Sequence, residues 1–273
     1  MESTVNSDLF IKRHLGLSDD DEQKMLSKLG FKNIDQFIEQ VVPEDIQLKD
    51  KSSEILPQGC SEIEALNELE EIAKKNTKMR SLIGLGYYDN HMPKVIQRHV
   101  LENPRWYTSY TPYQAEIAQG RLEALFNFQT IVCELTGFPV ANASLLDEGT
   151  AAAEAMAMSF SARKNKSSKV YLVESNVFDH TFNVLQTRAK PLGISLKRFT
   201  QSNFPNHDDV FGMLLQLPGK NGQLYDPTFL ISQAHRSEII VTACIDPLAQ
   251  VLIKPISEFG VDVAVGSMQR FGV

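Results

Sequence analysis

From residue 165 onward, short runs that are apolar almost without interruption alternate with helical ones, and no other feature limits the fold as tightly. KVYLVE at 169–174, ISLKRFT at 194–200, VFGMLLQLP at 210–218, EIIVTACID at 238–246 and VDVAVGS at 261–267 read as strands. HTFNVLQTRAKPLG and DPTFLISQAHR, lying between them, read as helices, and the first stops at Gly193. A strand with one face in water alternates polar and apolar residues, whereas a strand buried on both faces has no need to. Continuous apolar strands joined by helices therefore predict a parallel sheet covered on both sides, an α/β fold.

The first eighty residues have a different character and read as a helical arm, 1–80, ahead of a partial α/β domain, 81–273. Ser18 with Asp21 opens a helix that Gly30 closes, and NIDQFIEQVVP forms a short one ended before Pro43. Ser61 with Glu64 opens another. Its Ile63, Leu66, Leu69 and Ile72 share one face, and Glu70–Lys74 and Glu71–Lys75 pairs line the other. Pro93 suits the first turn of a helix over 93–102. A loop, NPRWYTSYTPY, then leads to a long helix over 114–136 ended by Gly137, and to a second helix over 148–162. The chain stops at Val273, directly after its last predicted strand, so the sheet is expected to be incomplete at its C-terminus.

Composition excludes several classes. A formal charge of −7 with short basic clusters, of which RKNKSSK at 163–169 is the most basic, gives no nucleic-acid footprint. Cys60, Cys133 and Cys244 are scattered, with no CxxC or Cys/His spacing, so neither a metal site nor a disulfide framework is expected. No stretch reaches the apolar length of a membrane span. The N-terminus has no apolar signal region and carries acids, so a cytoplasmic setting without a transit peptide is expected.

Four places are candidates for chemistry, because parallel α/β sheets bind ligands where strands end and helices begin. In SLLDEGTAAAEAM at 144–156, Gly149 allows close backbone approach and Thr150 adds a hydroxyl beside free helix amides, which outlines a phosphate cradle. Asp147 and Glu148 would repel a phosphate and equally suit a simple capped helix packed through its alanines. Asp246, ending EIIVTACID, either holds a protonated ring nitrogen or caps the segment that Pro247 begins. WYTSYTPYQ at 106–114 is either a hydroxyl-rich pocket loop or a core plug. Of the six histidines only His180 lies between a strand and a helix. These patterns yield an α/β chain with a candidate site for a phosphorylated cofactor, and no reaction.

The stretches FIKRHLGLS, NPRWYTSYTPYQAEIAQGRLEAL, NASLLDEGTAAAEAM, QTRA and EFGVDVAVGSMQRFGV resemble the N-terminal part of the glycine cleavage system P-protein family, the pyridoxal phosphate (PLP)-dependent glycine decarboxylases. The resemblance implies an aminotransferase fold-type-I-like sheet and an enzyme of two similar halves. It implies decarboxylation of glycine and transfer of the aminomethyl group to the lipoyl arm of H-protein. PLP would be held covalently by the C-terminal half, because SMQRFGV places Gln269 where a working copy carries its Schiff-base lysine. Lys254 precedes the last strand and is not expected to substitute. The resemblance makes Tyr107, Tyr110, Thr111 and Tyr113 candidates for a shared active site, with Glu148, Gly149, Thr150, His180 and Asp246 as further pocket or interface residues. Where the family has a His-Pro-Gln-Thr run, this chain reads Phe178-Asp179-His180-Thr181, which displaces the histidine. The implied partners are a PLP-bearing C-terminal half, lipoylated H-protein and glycine, without nucleic acid, membrane or metal. A non-catalytic protein that binds these partners is the alternative.

Overall fold

The structure, a computed structural model, describes residues 14–47, 56–57, 59–86, 88–107, 114–205 and 209–273. Its backbone falls into two compact units, Met1–Arg80 and Ser81–Val273.

The first unit holds helices α1 (Asp19–Leu29), α2 (Ile34–Val41) and α3 (Glu62–Lys74). Their ends follow local chemistry. Ser18 accepts from the Asp21 amide at 3.2 Å, and Gly30 closes α1 in the left-handed region at φ 88°. Ser61 and Glu64 form the reciprocal capping box at the start of α3, with Ser61 N–H donating to Glu64 Oε2 at 2.8 Å. Of the two expected charged pairs, Glu70–Lys74 forms and Glu71–Lys75 does not. Lys74 meets both Glu70 (3.2 Å) and Glu71 (2.8 Å), while Lys75 sits at the C-cap, past the helix. The apolar face of α3, Ile63, Leu66, Leu69 and Ile72, is at least half exposed.

The second unit opens with α4 (Lys94–Leu101) and α5 (Pro104–Tyr107), a single helical turn where the sequence reads as loop. The long helix α6 (Gln119–Thr136) begins five residues later than residue 114. Residues 114–118 form a turn on the Gln114 carbonyl instead, and none of them is a Ser, Thr, Asp or Asn that would cap an earlier start. There follow α7 (Glu148–Ala162), β1 (Val170–Glu174), α8 (Asp179–Leu192), β2 (Ser195–Phe199), β3 (Val210–Leu217), α9 (Thr228–Arg236), β4 (Ile240–Ile245), the single turn α10 (Pro247–Gln250) and β5 (Val263–Val265). The strands form one sheet, ordered β2-β1-β3-β4-β5, and every pairing is parallel. This is the parallel α/β sheet expected from the strand alternation.

Continuous burial of β1, β3 and β4 has a direct cause in side-chain alternation. Met213, Leu215, Leu217, Val241, Ala243 and Ile245 pack on one face with Leu230, Ile231 and Ala234 of α9. Tyr171, Val173, Leu214 and Cys244 pack on the other with Ala152 and Met156 of α7 and Leu185 of α8. The edge strands depart from this pattern. In β2, Ser195, Lys197 and Arg198 are exposed, and such charges discourage pairing with foreign strands. In β5 all three residues are only half-buried.

Among the described residues no helix is long and apolar enough to cross a membrane, and no group of His, Cys, Asp or Glu has the geometry of a metal site.

Candidate functional site

At the start of α7, the Thr150 amide donates to the Asp147 carboxylate at 2.7 Å, which holds Asp147 below its usual range. One of the free amides in the first turn of the helix is thus satisfied by the chain itself. A Cβ on Gly149 would come within 3.2 Å of Val184 Cγ2, so this glycine lets α7 lie close against α8. Ala151, Ala152, Ala153 and Ala155 are buried. The local geometry is that of a capped, tightly packed helix. Glu148 stands apart from it. Burial pushes its carboxyl up to about 7, and the charges of Asp246 and Asp147 push the same way, against the side chain of Gln216 and the backbone amide of Ser267.

At the end of β4, Asp246 acts as the cap that its position before Pro247 suggested, and its carboxylate is engaged by the chain's own groups. It caps α10 by accepting from the Leu248 amide at 3.0 Å. It also receives a bidentate pair from Arg270, Nε to Oδ1 at 3.0 Å and Nη2 to Oδ2 at 2.7 Å. Arg270 Nη1 donates further to Asn90 Oδ1 at 3.3 Å, and the guanidinium lies 5.3 Å from the Tyr88 ring centroid. Its neighbour Gln269 donates through Nε2 to the Gly86 carbonyl at 2.6 Å. The turn 268–271 that follows β5 is thereby tied to residues 86–90 and to the mouth of the sheet.

These groups surround a cavity of about 200 Å³ at the C-terminal ends of β3, β4 and β5, lined by Glu148, Gln216, Asp246, Ser267, Gln269 and Arg270 among others. This is the region where a doubly wound sheet presents its ligand crevice. The structure brings Glu148, Asp246 and Gln269 together, and leaves other candidates outside. Gly149 and Thr150 do not line the cavity. The His180 ring stacks on Phe178, centroids 5.4 Å apart, and it is Phe178 that reaches the wall. Tyr107 is on α5 and largely exposed. Tyr110, Thr111 and Tyr113 lie outside the described residues. Lys254 turns to the Glu258 carbonyl and carboxylate, at 3.3 and 3.7 Å, away from the cavity.

Sequence reasoning missed Arg270, Gln216 and Ser267. Gln216 carried a readable signal, since it is the one amide within the apolar run VFGMLLQLP. Arg270 had none, because its partners lie 24 and 180 residues away. A second, largely apolar cavity of about 750 Å³ runs between β5 and residues 138–147, lined by Phe128, Val132, Phe138, Val140, Leu146 and Val265 among others.

Comparison with known proteins adds the following. The family model of the glycine cleavage system P-protein matches residues 12–273. Over 264 residues the chain is 56% identical to the glycine dehydrogenase (decarboxylating) of Prochlorococcus marinus strain NATL1A, covering 97% of this chain and 27% of that protein. The same enzyme of Parasynechococcus marenigrum strain WH8102 is 58% identical, with 97% and 28% covered. A crystal structure of glycine decarboxylase (P-protein) of the glycine cleavage system, in inhibitor-bound form, superposes with a TM-score of 0.81 at 27% identity, covering 93% of this chain and 58% of that one. The chain thus spans little more than a quarter of the length of these curated relatives.

Proposed function

This chain belongs to the glycine cleavage system P-protein family, and from that premise we propose that it is the N-terminal portion of a glycine decarboxylase. It acts together with a PLP-bearing C-terminal half and with lipoylated H-protein, and is inactive by itself. Alignment of nearly the whole chain with about the same small fraction of each relative supports this reading.

The observation that carries the division of labour is the Arg270–Asp246 clasp. PLP needs an amine for its imine, a carboxylate for its ring nitrogen and open amides for its phosphate. Here Gln269 has no nucleophilic amine and is bonded to Gly86, Asp246 is occupied by Arg270, and the α7 amide is capped by Asp147. Two acids, Asp147 and Glu148, flank the place where a phosphate would sit. These residues do not fit the cofactor, so we assign PLP to the other half. In the assembled enzyme the electron sink for decarboxylation is the cofactor's. This chain contributes a fold whose own crevice is narrowed by side chains to a cavity of about 200 Å³. Tyr107, Tyr110, Thr111, Tyr113 and His180 are proposed as residues that border the shared site. Three free thiols, Cys60, Cys133 and Cys244, fit a reducing cytoplasm.

The test is PLP trapping. The chain is incubated with PLP, alone and with a C-terminal half of a P-protein, then reduced with borohydride and mapped by mass spectrometry. The expected outcome is label on the partner only, with glycine turnover only in the mixture. A stoichiometric adduct on this chain, at Lys254 or elsewhere, would overturn the assignment. Complex formation without turnover would favour a non-catalytic binding protein.

A further inference from the structure

Two oxygens in the wall of the 200 Å³ cavity accept no hydrogen bond from any described residue: Glu148 Oε1 and Gln216 Oε1. Both are shielded from solvent, and Gln216 as a whole is 1% exposed. A buried acceptor without a donor costs roughly 1–3 kcal/mol, so two side by side in one wall call for an explanation. The two cationic or amide side chains nearest to them are engaged elsewhere. Arg270 is engaged by Asp246 and Asn90, and the Gln269 amide by Gly86. Turning the Gln216 amide does not help, because its NH₂ can face Glu148 only by leaving its own oxygen without a donor.

The charge balance narrows what fits. Two carboxyls, Glu148 and Asp246, face one guanidinium, Arg270, and Asp147 adds a further negative charge behind Glu148. An anion is repelled, and a neutral hydroxyl brings a single donor for two acceptors. A cation with several N–H donors meets both needs. The volume lies below the roughly 300 Å³ at which pockets for drug-sized ligands begin, which restricts the occupant to a few heavy atoms. The terminal torsions of carboxyl and carboxamide groups are broad, so both oxygens can turn into the cavity.

We infer that this cavity binds a primary ammonium group, carried by a small amine or by the amino end of a small amino acid, between Glu148 and Gln216. The inference does not depend on the proposed decarboxylase function. In the absence of ligand a proton takes its place. A protonated Glu148 donates to Gln216 Oε1, and the ammonium displaces that proton. The groups facing Glu148 are Asp147, Asp246 and the buried thiol of Cys244, together with the Gln216 side chain and the Ser267 amide; Arg270 lies on the far side of Asp246 and His180 acts on Asp147.

The experiment is isothermal titration calorimetry of the 273-residue chain with methylammonium and, separately, with glycine. It is run at about pH 8 and about pH 6 in buffers of different ionisation enthalpy. Both ligands should saturate one site, and binding should release a proton at the lower pH. Affinity should fall about tenfold between the two pH values, because a carboxyl titrating near 7 is mostly ionised at the higher and mostly protonated at the lower. Glu148→Gln should lose at least tenfold in affinity, and Gln216→Met, which removes the acceptor without adding charge, should weaken binding as well. The inference is overturned by no saturable binding of either ligand, by binding of glycine but not methylammonium, or by undiminished binding to both variants. No turnover is read, so failure here leaves the decarboxylase reading untouched, and failure of PLP trapping leaves this site untouched.

Discussion

Replacing Glu148 by Gln keeps the side chain's shape and removes its charge, which isolates the energetic consequence of burying a carboxyl at the start of α7. Burial raises that carboxyl from 4.5 to about 7. Between those values the native chain holds a proton that the unfolded chain has released, so stability falls as pH rises through this window. The group's contribution is full below about pH 4.5 and gone above about pH 7. At about 1.4 kcal/mol for each pH unit, the span amounts to about 3 kcal/mol. The variant has no such titration. Its stability relative to the unsubstituted chain should therefore be nearly equal at about pH 4.5 and better by about 3 kcal/mol at about pH 8. Urea unfolding followed by the fluorescence of Trp106, the chain's single tryptophan, reports the unit Ser81–Val273 in which Glu148 sits. Taking the difference between the two proteins at each pH removes titrations they share. A difference that does not change with pH would refute the reasoning, since it would mean that Glu148 reaches solvent and titrates normally.

Other outcomes follow from neighbouring contacts. Arg270→Ala leaves Asp246 without its bidentate partner in a site where the two side chains are 16% and 27% exposed. It should cost about 2–3 kcal/mol by urea unfolding, less than a fully buried pair, and pairing it with Asp246→Asn should recover most of the loss. At Gly266 a Cβ would overlap the Ile245 carbonyl oxygen. Gly266→Ala should therefore destabilise by about 1–3 kcal/mol, visible as a lower thermal midpoint, and an unchanged midpoint would show that β4 and β5 separate easily. Asp147→Ala removes the cap of α7 and should cost about 1 kcal/mol. Added inorganic phosphate should not restore it; if it does, the start of α7 is an anion cradle after all.

The helix ends and the strand alternation were legible because they depend on residues within one turn or one pleat of each other. Ser18 with Asp21, Ser61 with Glu64, and Gly30, Gly137 and Gly193 in the left-handed region are local solutions to the unpaired amides and carbonyls of helix ends. The late start of α6 shows the limit. Residues 114–118 carry helix-forming side chains, and a turn on Gln114 wins where no capping residue is present to begin the helix earlier. Of the site, the acid at 148, the acid at 246 and the amide at 269 could be read from sequence. What they touch could not.

The amino-acid sequence alone determined that the chain builds a parallel sheet between helices, since near-continuous apolar strands are stable only when both faces are covered. It also placed a glutamine, Gln269, just past the last strand. Only the tertiary structure decided what became of the crevice. Arg270 reaches across to Asp246 and Asn90, and Gln269 to Gly86, over separations of 24, 180 and 183 residues. Glu148 and Gln216, one from a helix and one from a strand, are brought into the same buried wall. Hydrogen bonds and pKa shifts of this kind depend on distances between segments far apart in the chain, and no local pattern encodes those distances.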